Sequence, residues 1–343
     1  MGEQKKQRLL YIDILNILAC LAVISLHHNG LVHSFEDTLA WRESLVVECG
    51  LYWAVPVFLM ITGVNLLNYR EKYDTSTYFR KRVMRTVIPW LAWSFLVLGW
   101  KVVTGQLILE EKTAGYVLNL VLNYKVENVY WFFGALFACY LAIPVFSLLT
   151  KNRKILWYAA ALNFIFLSCL PVLKVWLGFS WSLDIPVTGS LILYVLLGYL
   201  FGTGELKRSQ RTGIYLLGIF GFLLRFVYTY IMSVKTGKTD TSIKGYIMFH
   251  AVFLSVAIFI WIRQINWKKY LPCWLIDKLP LISSCSFGIY LMHRVVMYYE
   301  RSWLGLSTKS HWWRIACIPL TYLISLGIVL LLKKIPVVRK LLV

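Results

Sequence analysis

About ten runs of apolar residues, each long enough to cross a bilayer as a helix, constrain this chain more than any other feature. A spanning helix needs about 20 mainly apolar residues, and irregular backbone cannot face lipid. Hydrophobic residues make up 59% of the 343 and charged residues only 15%, which leaves too little polar surface for a soluble protein. The sequence therefore predicts an all-α polytopic membrane protein.

The predicted spans follow one another without a long polar interval. Residues 1–343 are therefore expected to form a single integral-membrane domain. The first run resembles a signal peptide, but Asp13 and Asn16 interrupt its apolar part, so we expect an uncleaved first span. The ten spans are approximately 9–28, 46–68, 86–105, 129–150, 155–175, 187–204, 212–233, 245–263, 283–300 and 312–332.

The net charge of +20 raises the question of nucleic acid, but the position of the charges excludes it. No basic block alternates with exposed aromatic residues. Lysine and arginine instead collect in alternate segments between apolar runs, and the positive-inside rule then predicts a cytoplasmic N-terminus and C-terminus. These segments contain Lys5, Lys6 and Arg8, followed by the basic residues of 69–85, 151–154, 207–211, 263–278 and 333–340.

Metal and nucleotide motifs are missing from the sequence. The seven cysteines are irregularly spaced, without a CxxC pair or a metal-ligand pattern. HExxH, Walker, GxSxG and dinucleotide-binding glycine patterns do not occur either. We therefore predict no metal site.

Polar residues in the first span are the first candidates for a functional site. Asp13 and Asn16 lie inside the apolar run, and His27 and His28 lie at its far end. Polar side chains in a membrane are costly, so each is a functional candidate. The alternative is that Asp13 and Asn16 are helix-packing contacts and that the histidines lie at the membrane interface.

A histidine at this position has the chemistry of a general base. Imidazole titrates near neutral pH, and a carboxylate often orients it. Asp37 and Glu48 follow in the sequence, and either can orient His27. Glu48 is the more informative, because it stands in the apolar run VVECGLYWAVPVF.

A second candidate site lies in the basic segment before the third span. Arg82 and Arg85 are three residues apart, so on an α-helix they share a face and can hold a phosphate. For this segment taken by itself, ordinary positive-inside charge is the favoured explanation. The other polar residues in or near spans have no assigned role at this point: Arg225, His250, His293, Arg294 and Glu300.

The ordered set of motifs resembles the acyltransferase type 3 family of bacterial integral-membrane acyltransferases. In that family the first helix opens with an Ile-Asp pair and ends at a histidine, similar to Ile12-Asp13 and His27. The later motifs resemble Val55 to Gly63, Tyr78 to Pro89, Tyr130 to Leu136 with Tyr140 and Pro144, Tyr194 to Tyr199, and Ser286 to His293. The resemblance covers nearly the whole chain.

The resemblance implies transfer of an acyl group, commonly acetyl from acetyl-CoA, to a hydroxyl of a glycan or lipid-linked saccharide outside the bacterial cytoplasmic membrane. His27 becomes the general base, and Arg82, Arg85, Asp13 and Asn16 become donor-binding residues. One position departs from the family. Its basic residue eleven positions before the histidine is Asn16 here, which can form hydrogen bonds but carries no charge.

A transporter or a membrane-anchored binding domain for a small solute, such as an amino acid, is the alternative from another functional class. Relatives with this fold are thought to move small substrates, and Asn16 in place of a basic residue favours that function. The sequence shows no inverted repeat with paired broken helices. Acyl transfer remains the leading hypothesis.

Overall fold

The computed structural model describes residues 9–111, 113–179, 189 and 191–342, and within these residues the regular structure is helical. Lys5, Lys6, Arg8 and Lys112 lie outside the described residues. The α-helices are α1 Leu10–His28, α2 Leu39–Leu51, α3 Ala54–Leu66, α4 Thr75–Arg82, α5 Ile88–Val103, α6 Ala114–Leu122, α7 Trp131–Ser147, α8 Arg153–Asn163, α9 Leu170–Leu177, α10 Ile192–Thr203, α11 Arg208–Thr236, α12 Phe249–Gln264, α13 Trp267–Tyr270, α14 Cys273–Ser283, α15 Ser286–Leu304, α16 Cys317–Lys334 and α17 Pro336–Leu342.

The all-α polytopic prediction is confirmed, with fewer full-length spans than the ten expected. Within the described residues, seven continuous helical stretches are long and apolar enough to cross a bilayer, and some of them join two of the helices named above. Helices α14 and α15 together form an eighth stretch, which is bent by 72°. Helices α10 and α12 also fall in predicted spans, and they have 12 and 16 residues. They are about 18 and 24 Å long, against a hydrocarbon core of about 30 Å. Residues 187, 188 and 190 of the span expected at 187–204 lie outside the described residues.

Two predicted spans belong to helical stretches that begin well before them. The span expected at 46–68 is part of a helical stretch over Leu39–Glu71, interrupted between α2 and α3. The span expected at 86–105 starts earlier, because the helix of Thr75–Val103 runs through the basic segment. Apolar content alone marks where a helix meets lipid, and it does not mark where the helix begins.

The helices form one bundle with two recognisable ends. At the Leu9 end, Arg263 donates to the backbone oxygen of Gly204 (2.8 Å) and Lys333 to that of Ser284 (2.9 Å). At the opposite end, called the His28 end, Lys309 pairs with Glu36 (2.5 Å). Arg263 and Lys333 belong to two of the predicted cytoplasmic segments, which therefore meet at the Leu9 end. The orientation in a membrane stays a prediction.

Close packing of α3 against α10 forms the middle of the bundle. A Cβ atom added to Gly63 would collide with the backbone of Val195, and one added to Gly198 would collide with the backbone of Met60. Small residues allow membrane helices to approach this closely. The two glycines therefore fix the position of α3, which lines the cavity described below.

Helix α15 is fixed to its neighbours by reciprocal hydrogen bonds. The hydroxyl of Tyr130 donates to the backbone oxygen of Leu291 (2.9 Å), and that of Tyr290 donates to the backbone oxygen of Val129 (2.7 Å). Both tyrosines are buried. These bonds hold the start of α7 beside the middle of α15.

Candidate functional site

His27 and His293 form a hydrogen-bonded pair between α1 and α15. Their rings are nearly parallel, at 16° with centroids 4.9 Å apart, and Nδ1 of His27 lies 2.8 Å from Nε2 of His293. His293 is fully buried, and His27 is partly exposed. The pair forms where α1 packs against α15. Earlier on α1, Asn16 contacts Ser283, the last residue of α14.

The hydrogen bonds of His293 determine which nitrogen of His27 is basic. Nδ1 of His293 lies 2.8 Å from the carbonyl oxygen of Tyr290 and 3.2 Å from that of Ile289. A carbonyl oxygen only accepts, so Nδ1 carries the proton and Nε2 of neutral His293 is an acceptor. His27 must then donate through its own Nδ1. Its Nε2 consequently keeps a lone pair that can take a proton.

An aromatic cavity of about 280 Å³ reaches Tyr290, whose ring packs against His293. It is lined by Phe58, Phe132, Tyr140 and Tyr290, together with Thr62 and a group of serines. The ring of Tyr290 has its centroid 5.8 Å from that of His293. The cavity therefore reaches the residues that surround the histidine pair.

A larger polar cavity of about 610 Å³ lies toward the Leu9 end. Its lining includes Asp13, Asn68 and Lys72. Asn16 and Ser283 line both this cavity and the aromatic cavity, and Asn16 donates to the hydroxyl of Ser283 (3.2 Å). Asn16 thus lies where the two cavities meet.

Asp13 is almost fully buried in the first turn of α1. A carboxylate is favourable there, because the N-terminus of a helix carries partial positive charge. The position agrees with a structural role and also places Asp13 on the wall of the polar cavity. Its donor-binding role stays a prediction.

Arg82 lies beside the aromatic cavity. Its guanidinium carbon is 5.6 Å from the ring centroid of Tyr140 and 6.0 Å from that of Tyr78, and its buried Nε has no hydrogen-bond partner among the described residues. Tyr140 lines the cavity directly. A cation whose Nε lacks a hydrogen-bond partner among the described residues therefore lies next to a residue of the cavity wall.

Arg85 does not share the setting of Arg82. The chain changes from α-helix to π-helix over Val83–Val87, so the α-helical reason for placing the two arginines on one face does not hold there. Arg85 is exposed and Arg82 partly buried. π-Helical turns are frequent at functional sites, and binding of a phosphate by both arginines stays a prediction.

The start of the arginine helix is well defined. Asp74 caps α4 by accepting the backbone N–H of Thr77 (3.0 Å). Hydrogen bonds from Thr77 lower the pKa of the Asp74 carboxyl below its ordinary value. The cap therefore stays ionised near neutral pH and fixes the helix that leads to Arg82.

Glu48 lies in an ion-pair cluster that is separate from the histidine pair. Its carboxylate is 3.0 Å from Lys244 and 3.4 Å from Arg225. The guanidinium of Arg225 also covers the ring of Tyr52 at 3.7 Å, and that ring stacks on Tyr246 at 4.0 Å. The carboxylate is thus neutralised by two cations.

Asp37 lies on the surface at the His28 end. It forms an ion pair with Arg42 (2.8 Å), and both side chains are more than two-fifths exposed. The orienting partner that the structure gives to His27 is His293, rather than Asp37 or Glu48.

The remaining polar residues have partners of their own. His28 is buried, lies 2.9 Å from the hydroxyl of Thr321 and packs against Trp313. The others pair as follows: Arg294 with Glu127 (3.6 Å), Lys101 with Glu127 (2.7 Å), His250 with the backbone oxygen of Ile243 (2.9 Å), and Glu300 with Thr321.

The sequence left His293 without a role and did not single out the serines beside the cavity. His293 carried a usable signal, because it closes the motif SFGIYLMH. Ser283 and Ser286 carried none, since serine is common in membrane helices and only the bend between α14 and α15 brings them to the cavity wall.

Comparison with known proteins gives one family match. A family model described as an acyltransferase domain matches residues 9–330, which is nearly the whole chain and includes both histidines of the pair. No curated protein and no solved structure matches the chain.

Proposed function

Because the chain belongs to the acyltransferase 3 family, and is therefore a membrane acyltransferase, we propose that it moves an acetyl group from acetyl-CoA to a hydroxyl of an extracytoplasmic cell-surface glycan or lipid-linked saccharide. The observation that supports this proposal is the hydrogen-bonded pair of His27 and His293, with the aromatic cavity reaching Tyr290 next to His293. Family membership favours this enzyme over a transporter for a small solute.

His27 acts as the general base. Its Nε2 accepts the proton of the acceptor hydroxyl while the oxygen attacks the thioester carbonyl carbon. The tetrahedral intermediate then collapses, the carbon–sulfur bond breaks, and the CoA thiolate takes the proton back from His27. The products are the acetyl ester and CoA.

His293 is the positioning residue. It accepts the Nδ1 proton of His27 at 2.8 Å, which holds the ring and its tautomer in the form needed for proton transfer. When His27 becomes an imidazolium, the same lone pair stabilises the charge, as a carboxylate does in hydrolytic triads. Neither Glu48 nor Asp37 is needed for this step.

The donor enters from the Leu9 end, where Arg82 and Arg85 bind its phosphates by charge-assisted hydrogen bonds. Asp13 and Asn16 line the adjoining polar cavity. With the Leu9 end in the bacterial cytoplasm, as the positive-inside rule predicts, acetyl-CoA arrives from the cytoplasm. The acceptor then meets it near the His28 end.

The test is acetyl transfer from labelled acetyl-CoA in membranes that contain the wild type or His27→Ala. We expect label in the glycan fraction with the wild type and a loss of about 10²- to 10⁴-fold in the variant. His33→Ala, at an exposed histidine at the same end, is the matched control. Undiminished transfer by His27→Ala removes the general-base role.

A further inference from the structure

We propose that the N-terminus of α15, with the hydroxyl of Ser286, forms a binding site for an amide group of the donor's pantetheine arm. The inference rests on the proposed function, since it names the part of the donor that occupies the aromatic cavity. It assigns a role to the bend between α14 and α15, which acyl transfer at the histidine pair does not itself require.

The first observation is an unused hydroxyl. Ser286 is only 3% exposed, its Oγ has no hydrogen-bond partner among the described residues, and it lines the aromatic cavity. A buried polar group without a partner is costly. A ligand in the cavity removes that cost if it presents a hydrogen-bonding group to Ser286.

The second observation is the helix end itself. α15 is 19 residues long, and its N-cap residue, Cys285, gives no side-chain hydrogen bond to the first turn. The first N–H groups of a helix have no partner within the helix and attract acceptors. The 72° bend from α14 places this end at the cavity, and Lys333 holds the bend through Ser284 (2.9 Å).

The lining of the cavity selects a neutral ligand over a charged one. Among the described residues that line it, every side chain is uncharged, and most are aromatic or aliphatic. Charged groups are costly in such surroundings. A pantetheine arm fits better, because it is a narrow, mainly apolar chain with two secondary amides, and its diphosphate stays outside near Arg82.

The C=O and the N–H of an amide would each have a hydrogen-bond partner in the cavity. The amide oxygen accepts from Ser286 and the helix N-terminus. Thr62 lines the same cavity and donates its proton to the backbone oxygen of Phe58 (2.9 Å), which leaves its own oxygen as an acceptor. The amide N–H donates there.

The distance between Ser286 and His293 indicates which amide Ser286 binds: the one that lies farther from the thioester sulfur. Ser286 and His293 are seven residues apart on α15, or about 10 Å along the helix. An extended chain with as many bonds as separate the thioester sulfur from the farther amide spans roughly 8 to 9 Å. With the thioester beside the histidine pair, the farther amide therefore lies next to Ser286.

The experiment compares donors that contain or lack this amide. Acetyl-CoA and S-acetyl-pantetheine contain it, whereas S-acetyl-N-acetylcysteamine ends before it. Ser286→Ala is expected to raise KM about three- to ten-fold for the first two donors, as loss of one hydrogen bond does. We expect KM for the truncated donor to stay unchanged.

Ser325→Ala is the matched control. Ser325 is also fully buried with an unpartnered Oγ, but it lies on α16, outside the cavity lining. Both variants are expected to unfold at the wild-type temperature or slightly above it without ligand. An unchanged KM in Ser286→Ala, or an equal rise with the truncated donor or in Ser325→Ala, overturns the inference.

Direct binding separates this inference from the proposed function. If the wild type transfers no acetyl group from any donor, the proposed function fails. Calorimetry with S-acetyl-pantetheine and purified protein then decides the inference alone: weaker binding by Ser286→Ala than by Ser325→Ala supports the site, and equal binding, or no binding to the wild type, overturns it.

Discussion

Two clusters of ionisable side chains lie toward the His28 end of the bundle, and they differ in what they leave unsatisfied. In the cluster of Glu48, a buried carboxylate is neutralised by Lys244 and Arg225. In the histidine pair, His293 uses both ring nitrogens, whereas His27 is left with one basic nitrogen and is partly exposed. In the first cluster the charge of the carboxylate is neutralised, whereas in the second cluster one basic nitrogen of His27 has no assigned partner.

The comparison teaches how to interpret polar residues in a membrane bundle. The cost of burial makes every such residue a functional candidate, but a network whose members neutralise one another is fully explained by stability. A nitrogen or hydroxyl that lacks a hydrogen-bond partner and lies beside a cavity is not explained by stability. By that criterion we expect a functional part for Ser286, which lines the aromatic cavity, and a structural one for Glu48. The roles of His27 and Arg82, which lie near that cavity without lining it, stay predictions.

The largest difference in kcat is expected between substitutions of the adjacent residues His27 and His28. In His27→Gln the amide cannot take a proton, so kcat is expected to fall about 10²- to 10⁴-fold with the unfolding temperature unchanged. His28 is buried against Trp313 and Thr321, so His28→Gln is expected to lower the unfolding temperature and leave kcat within a few-fold. Rates per folded molecule, measured in detergent, test both.

The reverse pattern contradicts this assignment. If His28→Gln abolished transfer in correctly folded protein while His27→Gln retained it, the open nitrogen of His27 would have no catalytic part.

The Glu48 cluster should respond in stability rather than in rate. Glu48→Gln leaves two cations without their carboxylate, and breaking a buried pair costs about 3–5 kcal/mol. We expect a clearly lower unfolding temperature and an unchanged kcat for the folded fraction. Glu43→Gln is the control on the same helix, because that carboxylate is nearly half exposed. A stable Glu48→Gln enzyme with a low kcat restores Glu48 as an orienting residue.

A milder effect is expected for His293, because it acts through His27. His293→Ala removes the acceptor of a hydrogen bond that carries charge during the reaction, so kcat should fall about ten- to a hundred-fold. KM for acetyl-CoA should not change, and His293→Gln should recover part of the rate through its amide oxygen. A purely structural role would instead give unfolding without recovery by glutamine.

The sequence predicted the helical membrane fold because apolar length is a local property that each span carries by itself. It also predicted a general base at His27, whose position relative to Asp13 follows from counting along one helix, and that role stays a prediction. It did not identify the partner of that histidine. His293 is 266 residues away, and the contact depends on how α1 packs against α15.

The carboxylates near His27 in sequence illustrate the same limit. Asp37 and Glu48 were natural partners by proximity along the chain, but the turn after α1 and the start of α2 direct them to Arg42 and to the Lys244–Arg225 pair. Ser286 was hidden for another reason. Its significance comes from a missing hydrogen bond, which only the folded surroundings reveal.

The smallest effect of all is expected for a substitution of Asp37. Its carboxylate is half exposed and already paired with Arg42, so water screens any influence on His27. Asp37→Asn is expected to change kcat and KM by no more than about two-fold, at low and at high salt. A ten-fold loss of kcat that glutamate at the same position restores would make Asp37 part of the proton-transfer step and would require the loop after α1 to close over His27 during the reaction.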